Sequence, residues 1–191
     1  MNAKVEKKER SHESILDSAA RLVRERGISG ARVADVMKGA GLTVGGFYAH
    51  FASKEELVDE AIRRTGAALR EKLFSRLEEK PAADRAEVVL KRYLSAGNRD
   101  EQSMGCPLPA IVAEVGTTSR EHRDVIAEQV AAFRDELAQH LPKKSQARMT
   151  ALGLVALMVG GLSLARALRG TDLSDEVIKA CRALGAAATR T

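Results

Sequence analysis

The sequence predicts an all-α protein, and three observations carry that expectation. Aromatic residues make up only 3% of the 191 residues, while Ala, Leu, Val, Glu and Arg are plentiful, a composition suited to helices packed on helices. Apolar residues recur at helical spacing along most of the chain, and no convincing run of alternating β-branched residues interrupts them. The four prolines, Pro81, Pro107, Pro109 and Pro142, fall mostly at apparent helix boundaries. About nine helices are expected, as an N-terminal three-helix unit containing a helix-turn-helix followed by a larger helical unit.

The first helix is expected over residues 11–26, where Ile15, Leu16, Ala19, Leu22 and Val23 share a face and Gly27 stops it. Residues 1–10 are charged and lack the apolar core of a signal peptide. They read either as a flexible arm laying Lys4, Lys7, Lys8 and Arg10 along phosphates or as a solvated tail. Val33, Val36 and Met37 give the second helix an apolar face, and Ala40 and Gly41 close it. Thr43 is a good N-cap for the third. Phe47 and Phe51, four apart, turn one side of that helix inward and leave Thr43, Val44, Gly46, Tyr48 and His50 outward. Ser53 caps a long helix with Glu55 and Glu56 in its first turn, where the dipole favours anions. Its stripe runs through Leu57, Ala61, Leu69, Leu73 and Leu77, and Pro81 marks its end. Further helices are expected over 83–96, 107–115, 119–141, 149–168 and 173–188, with 97–105 as a loop and Gly116 as a stop.

Residues 149–165 carry no charge, a length at the lower edge for a bilayer span. The stretch is rich in Ala and Gly, lacks aromatic anchors and follows an amphipathic helix, so it reads as a core helix buried by its own domain and by a twin subunit, not as a membrane segment. Paired with the last helix, whose Val177, Ile178, Cys181 and Leu184 share a face, it would build a four-helix dimer interface. The division between units is expected inside the long helix, giving residues 1–64 and 65–191.

Two short helices joined by a tight turn are the layout that puts a helix into the major groove of DNA. The net charge of +5 fits a polyanion partner without demanding one. No phosphate-binding glycine loop, His/Cys metal spacing or Ser-His-Asp set is present, so neither a cofactor, a metal nor an enzymatic activity is expected. Cys106 and Cys181 form no metal or redox pattern, and a reducing cytoplasm is the default setting.

At ERG (25–27), AGLTVGGFYAHF (40–51) and SKEEL (53–57) the sequence resembles the TetR family of bacterial transcriptional repressors. The motif match covers residues 11–62; GCPLP (105–109) and MVGG (158–161) resemble one branch more weakly. The resemblance implies a homodimer that binds double-stranded, palindromic DNA. It assigns phosphate contacts to Tyr48, His50 and Lys54. Groove reading falls to Thr43, Val44, Gly45 and Gly46, with Val44 suited to a thymine methyl. The family has hydroxyl residues where this chain has Ala31 and Arg32; Arg32 can reach a phosphate by charge but not cap the helix as a hydroxyl does.

The resemblance further implies that residues 65–191 bind a small-molecule effector and dimerise, releasing DNA when the effector binds. Candidate lining residues are Phe74, Tyr93, Met104, Phe133 and Met158, although each taken alone reads more readily as ordinary core. Cys106 lies between Gly105 and Pro107 at the start of a short helix, where a helix N-terminus can activate a thiol. It reads as a thiol sensor or as packing; Cys181 reads as packing. Glu114 either faces a ligand or emerges to solvent. The rival readings are a thiol-dependent helical enzyme built on Cys106 and a DNA-binding protein without an effector.

Overall fold

The computed structural model describes residues 3–101, 105–142 and 146–190. These residues form nine α-helices and several 3-10 turns, with no strand among them. Helix α1 (Ala3–Gly30) starts eight residues before the expected position, so the stretch anticipated as an arm is helical from residue 3. Its Ala, Lys, Glu and Arg are strong helix formers, and Glu6 sits favourably in the first turn. Ile15, Leu16, Ala19, Leu22 and Val23 are all buried, as their spacing requires. At Gly27 the backbone takes φ 72 and ψ −173, which breaks the helix axis before a last turn completes the element.

Helix α2 (Val33–Gly39) buries Val36 and Met37, and Gly41 at φ 71 turns the chain out of it. The third element, Val44–Ala49, is a six-residue 3-10 helix in place of the expected α-helix. Two glycines in six residues remove much of the propensity that would hold an α-helical turn, roughly 1 kcal/mol each.

Helix α3 (Lys54–Phe74) opens on a turn capped by Ser53. Glu56 N–H donates to Ser53 Oγ at 3.1 Å, while the Glu56 carboxylate accepts the Ala52 N–H at 2.5 Å. The helix ends at Phe74, short of Pro81, because Arg76 enters the left-handed region at φ 55 and Arg92 Nη1 binds the freed carbonyls of Leu73 and Ser75 at 2.6 and 2.7 Å. The helix expected over 83–96 is split into α4 (Arg85–Tyr93) and α5 (Ala96–Asp100), the latter inside the expected loop. Ser95 makes the split, since its hydroxyl accepts the Asn98 N–H and starts a new helix.

Helix α6 (Leu108–Thr117) runs through Gly116, and α7 (Arg123–Ala138) follows a 3-10 turn. Helices α8 (Ala147–Ala167) and α9 (Asp172–Arg190) are separated by a left-handed Gly170. Helix α8 alone, among the described residues, has the length and hydropathy of a membrane span. It is nevertheless packed between α7 and α9, with Leu154, Val155, Met158 and Leu162 buried. Its opposite face is open in the single chain: Met149, Leu152 and Leu164 are exposed, as are Leu173 and Leu184 on α9.

The two halves touch along α1 and α3. Helix α1 packs on α3, α2 and α6, and α3 packs on α7. His122 Nδ1 lies 2.6 Å from Asp59 Oδ1, and Arg63 Nε 3.0 Å from Glu128 Oε2. Helix α3 is continuous through the expected division at 64/65, where Thr65 and Gly66 are buried.

Candidate nucleic-acid interface

The third element is anchored from beneath by rings. Phe47 and Phe51 are almost fully buried, their centroids 5.9 Å apart, and His12 of α1 stacks on Phe51 at 4.5 Å. Met37 of α2 is also fully buried, and its Cε approaches the third element at Gly46. This fixes one face of Val44–Ala49 inward and sends the opposite face out. Tyr48 is 78% exposed, with only its ring edge against Phe47, and Val44 is 53% exposed.

Thr43 holds the N-cap position with extended backbone and is exposed, but its side chain makes no cap bond. A Cβ added at Gly45 would meet nothing within 4 Å, and one at Gly46 only Met37 Cε at 3.8 Å. Neither glycine is demanded by the chain's own packing, although each weakens the helix it occupies. The room at Gly45 is open and exposed, whereas that at Gly46 borders the buried Met37.

Charged and polar side chains flank that surface. Arg32 is exposed at the N-cap position of α2 and makes no cap bond, as its departure from the expected hydroxyl implies. Lys54 is the first residue of α3 and has no carboxylate within ion-pair distance among the described residues. Its ammonium and the first N–H groups of α3 form a site where an anion is favoured. His50 follows the third element, and its Nδ1 is buried without a hydrogen-bond partner. Partial burial, then the nearby positive charges of His12 and Lys8, hold its imidazole below the ordinary histidine value. Arg32, Thr43, Val44, Gly45, Gly46, Tyr48, His50 and Lys54 thus lie on or immediately beside three successive elements, α2, Val44–Ala49 and α3.

In the C-terminal half, Tyr93 and Phe133 are buried, with ring centroids 5.9 Å apart, and Phe74 meets Phe133 edge-on at 6.0 Å. Met158 is fully buried in α8. These residues belong to the packed core, with Phe74 partly buried against it. Met104 lies outside the described residues. An open cleft of about 370 Å³ lies instead beside the end of α3, lined among others by Leu69, Leu73, Lys72, Arg92, Ser95 and Asn98. The sequence did not disclose this lining, because it comes from the end of α3, from α4 and from a stretch read as a loop, which only the fold brings together.

Cys106 is buried, and burial pushes its thiol up despite the Tyr93 hydroxyl beside it and the positive charges of Arg166 and Arg24. Glu114 neither faces a ligand nor points to open solvent. Its carboxylate accepts the Ile28 N–H at 3.0 Å, the Ser29 N–H at 2.8 Å and the Ser29 hydroxyl at 2.5 Å.

Comparison with known proteins agrees with this layout. Residues 15–61, from the core of α1 to the first turns of α3, match the family profile of bacterial regulatory proteins of the tetR family. Over 49 residues the chain is 49% identical to the HTH-type transcriptional repressor KstR2 of Mycobacterium tuberculosis, covering 26% of this chain and 24% of that protein. It is 33% identical over 127 residues to KstR2 of Rhodococcus jostii, covering 66% and 50% respectively. The chain therefore spans between a quarter and half of the length of these relatives. A TetR-family transcriptional regulator from Rhodococcus sp. has the same fold, with a TM-score of 0.76 at 21% identity over 92% of this chain and 96% of that one. With the ring-anchored head, the family profile lying across it and the fold shared along almost the whole length, the chain belongs to the TetR family of bacterial regulatory proteins.

Proposed function

We propose that the protein is a cytoplasmic transcriptional repressor that binds a palindromic operator as a homodimer and leaves it when a small-molecule effector binds residues 65–191. The observation that carries this reading is the outer face of Val44–Ala49, where two glycines serve no internal contact above an anchor of buried rings. Two positions left without side chains at a cost in helix propensity suit close approach by a duplex edge. Tyr48, His50, Lys54 and Arg32 would hold phosphates, while Thr43, Val44 and the glycine backbones would meet base edges. With few side-chain donors there, DNA shape would supply part of the discrimination.

One head is a small footprint, and two related by a dyad would read half-sites about 34 Å apart. The apolar residues left open on α8 and α9 suit the twin subunit: Leu164 is 56% and Leu184 65% exposed. Leu184→Glu is expected to yield monomers in sedimentation velocity while keeping the helical spectrum. Selection from random duplexes should return an inverted repeat for the native protein and no enriched site for this variant; an enriched inverted repeat bound by the monomer would contradict dimeric reading.

His50 adds a pH dependence. Held neutral at pH 7 in the free protein, it would be drawn toward its charged form by a phosphate alongside. The complex then binds more protons than its components, so affinity for DNA rises as pH falls from 7.5 to 6. His50→Gln should flatten that slope in a titration by fluorescence anisotropy; an unchanged slope would remove the contact.

The cleft beside α3 is the favoured entry for an effector, which must bind the DNA-incompetent arrangement more tightly by about 2–3 kcal/mol for a strong response. The buried, protonated Cys106 disfavours both the thiol-sensing form of that response and the helical thiol enzyme.

A further inference from the structure

We infer that Glu114 is a positioning residue for operator recognition: its carboxylate sets the angle at which the reading head sits on the body, and so the half-site spacing the dimer accepts. The inference rests on the proposal that the protein reads an inverted repeat. Its physical basis is the break in α1. At Gly27 the backbone leaves the helical region, so the N–H groups of Ile28 and Ser29 begin a new turn with no intrahelical acceptor. Glu114, 85 or more residues further along on α6, supplies both acceptors and also receives the Ser29 hydroxyl. Three bonds to one ionised group are charge-assisted and directional, a stiffer tie than apolar contact between helices.

The fit is close. A Cβ at residue 27 would lie 1.8 Å from Glu114 Oε1 and 3.2 Å from the Ala110 carbonyl oxygen, so glycine is required there by space as well as by φ. The clamped turn leads directly into the head: Ala31 N–H donates to the Ile28 carbonyl, Arg32 holds the N-cap position of α2, and Val36 and Met37 of α2 are buried with the Phe47 ring beneath the third element. Two further polar ties between head and body, His122 with Asp59 and Arg63 with Glu128, grip α3, the helix that runs through both halves. On α1, Glu114 adds a polar clamp to the packing of that helix against α6. Without that clamp the head keeps its fold and its surface, but α1 is held on the body by apolar packing against α6 alone and its bearing relative to its twin loosens.

Spacing preference reads that bearing, and a purely structural role would leave it unchanged. The full-length native protein is first given random duplexes to select its site; failure to enrich any inverted repeat counts against the proposed function, not against Glu114. Affinities are then measured for the selected duplex and for one with two base pairs inserted at its centre, which turns the half-sites roughly 70° out of phase. The native protein is expected to lose about tenfold or more on insertion. Glu114→Ala should lose less than about threefold and Glu114→Gln an intermediate amount, with binding to unrelated duplex unchanged. A Glu114→Ala protein that is folded by circular dichroism and keeps the native ratio overturns the inference. If that variant does not fold, Ser29→Ala, which deletes one of the three bonds, decides in the same assay: a reduced ratio supports the inference and the native ratio overturns it.

Discussion

Phe47→Ala is expected to destabilise the reading head by about 3–5 kcal/mol, since it empties a ring-sized space in a closed core. Phe47 is 1% exposed and meets both Phe51 and Tyr48. Against a total stability of about 5–15 kcal/mol for a domain, that loss is large. It should lower the melting temperature by roughly 10 °C and abolish DNA binding well below the melting point of the remaining helices. Tyr48→Ala is the informative neighbour. Its ring is mostly in solvent, so the same truncation one residue later should change stability by no more than about 0.5 kcal/mol. A head that tolerated Phe47→Ala as well as it tolerates Tyr48→Ala would show that the third element is not anchored by its rings.

Lys54→Ala should leave the fold intact and weaken binding to every duplex, selected or not, by roughly tenfold or more, because a charge-assisted contact is lost in each subunit. Two phosphate contacts fewer per dimer should also reduce the slope of log affinity against log salt by about 1.8. Lys54 suits this test because its ammonium has no carboxylate partner among the described residues, so its removal breaks no ion pair within the protein. Capping by Ser53 and Glu56 persists without it. Measured from 50 to 200 mM salt, parallel lines for native and variant proteins would exclude Lys54 from the phosphate contacts. Tyr48→Phe, which removes only the hydroxyl, should weaken binding less and leave the salt slope nearly unchanged.

What the sequence disclosed and what it hid divide along the range of the interactions involved. The buried face of α1, the left-handed Gly41 and the Ser53 cap are local, and each is found where periodicity and residue type put it. The inward Phe47 and Phe51 and the outward Tyr48 likewise follow from spacing. The end of α3 is different. Pro81 is a reasonable local stop, but the helix ends at Phe74, where a guanidinium on α4 binds the terminal carbonyls. The N-terminal extension of α1 was hidden by its charge, which reads as a solvated tail although the same residues favour a helix. Glu114 was illegible for the plainest reason: its partners lie 85 and 86 residues earlier in the chain. The cleft beside α3 shares that character, since its lining comes from helices α3 to α5 and the segment after them.

The most direct test of the account places a cleaving reagent on the face said to meet DNA. Gly45→Cys introduces a side chain where a Cβ meets nothing within 4 Å, so the fold should accept it. With Cys106 and Cys181 replaced by serine, residue 45 can be labelled alone with an iron chelate and the protein bound to its selected duplex. Strand scission is expected at two places about one helical turn apart, symmetric about the centre of the repeat. Scission no stronger or better placed than that from the same chelate at the exposed Ala67 of α3 would contradict the claim that the Val44–Ala49 surface is what reads DNA.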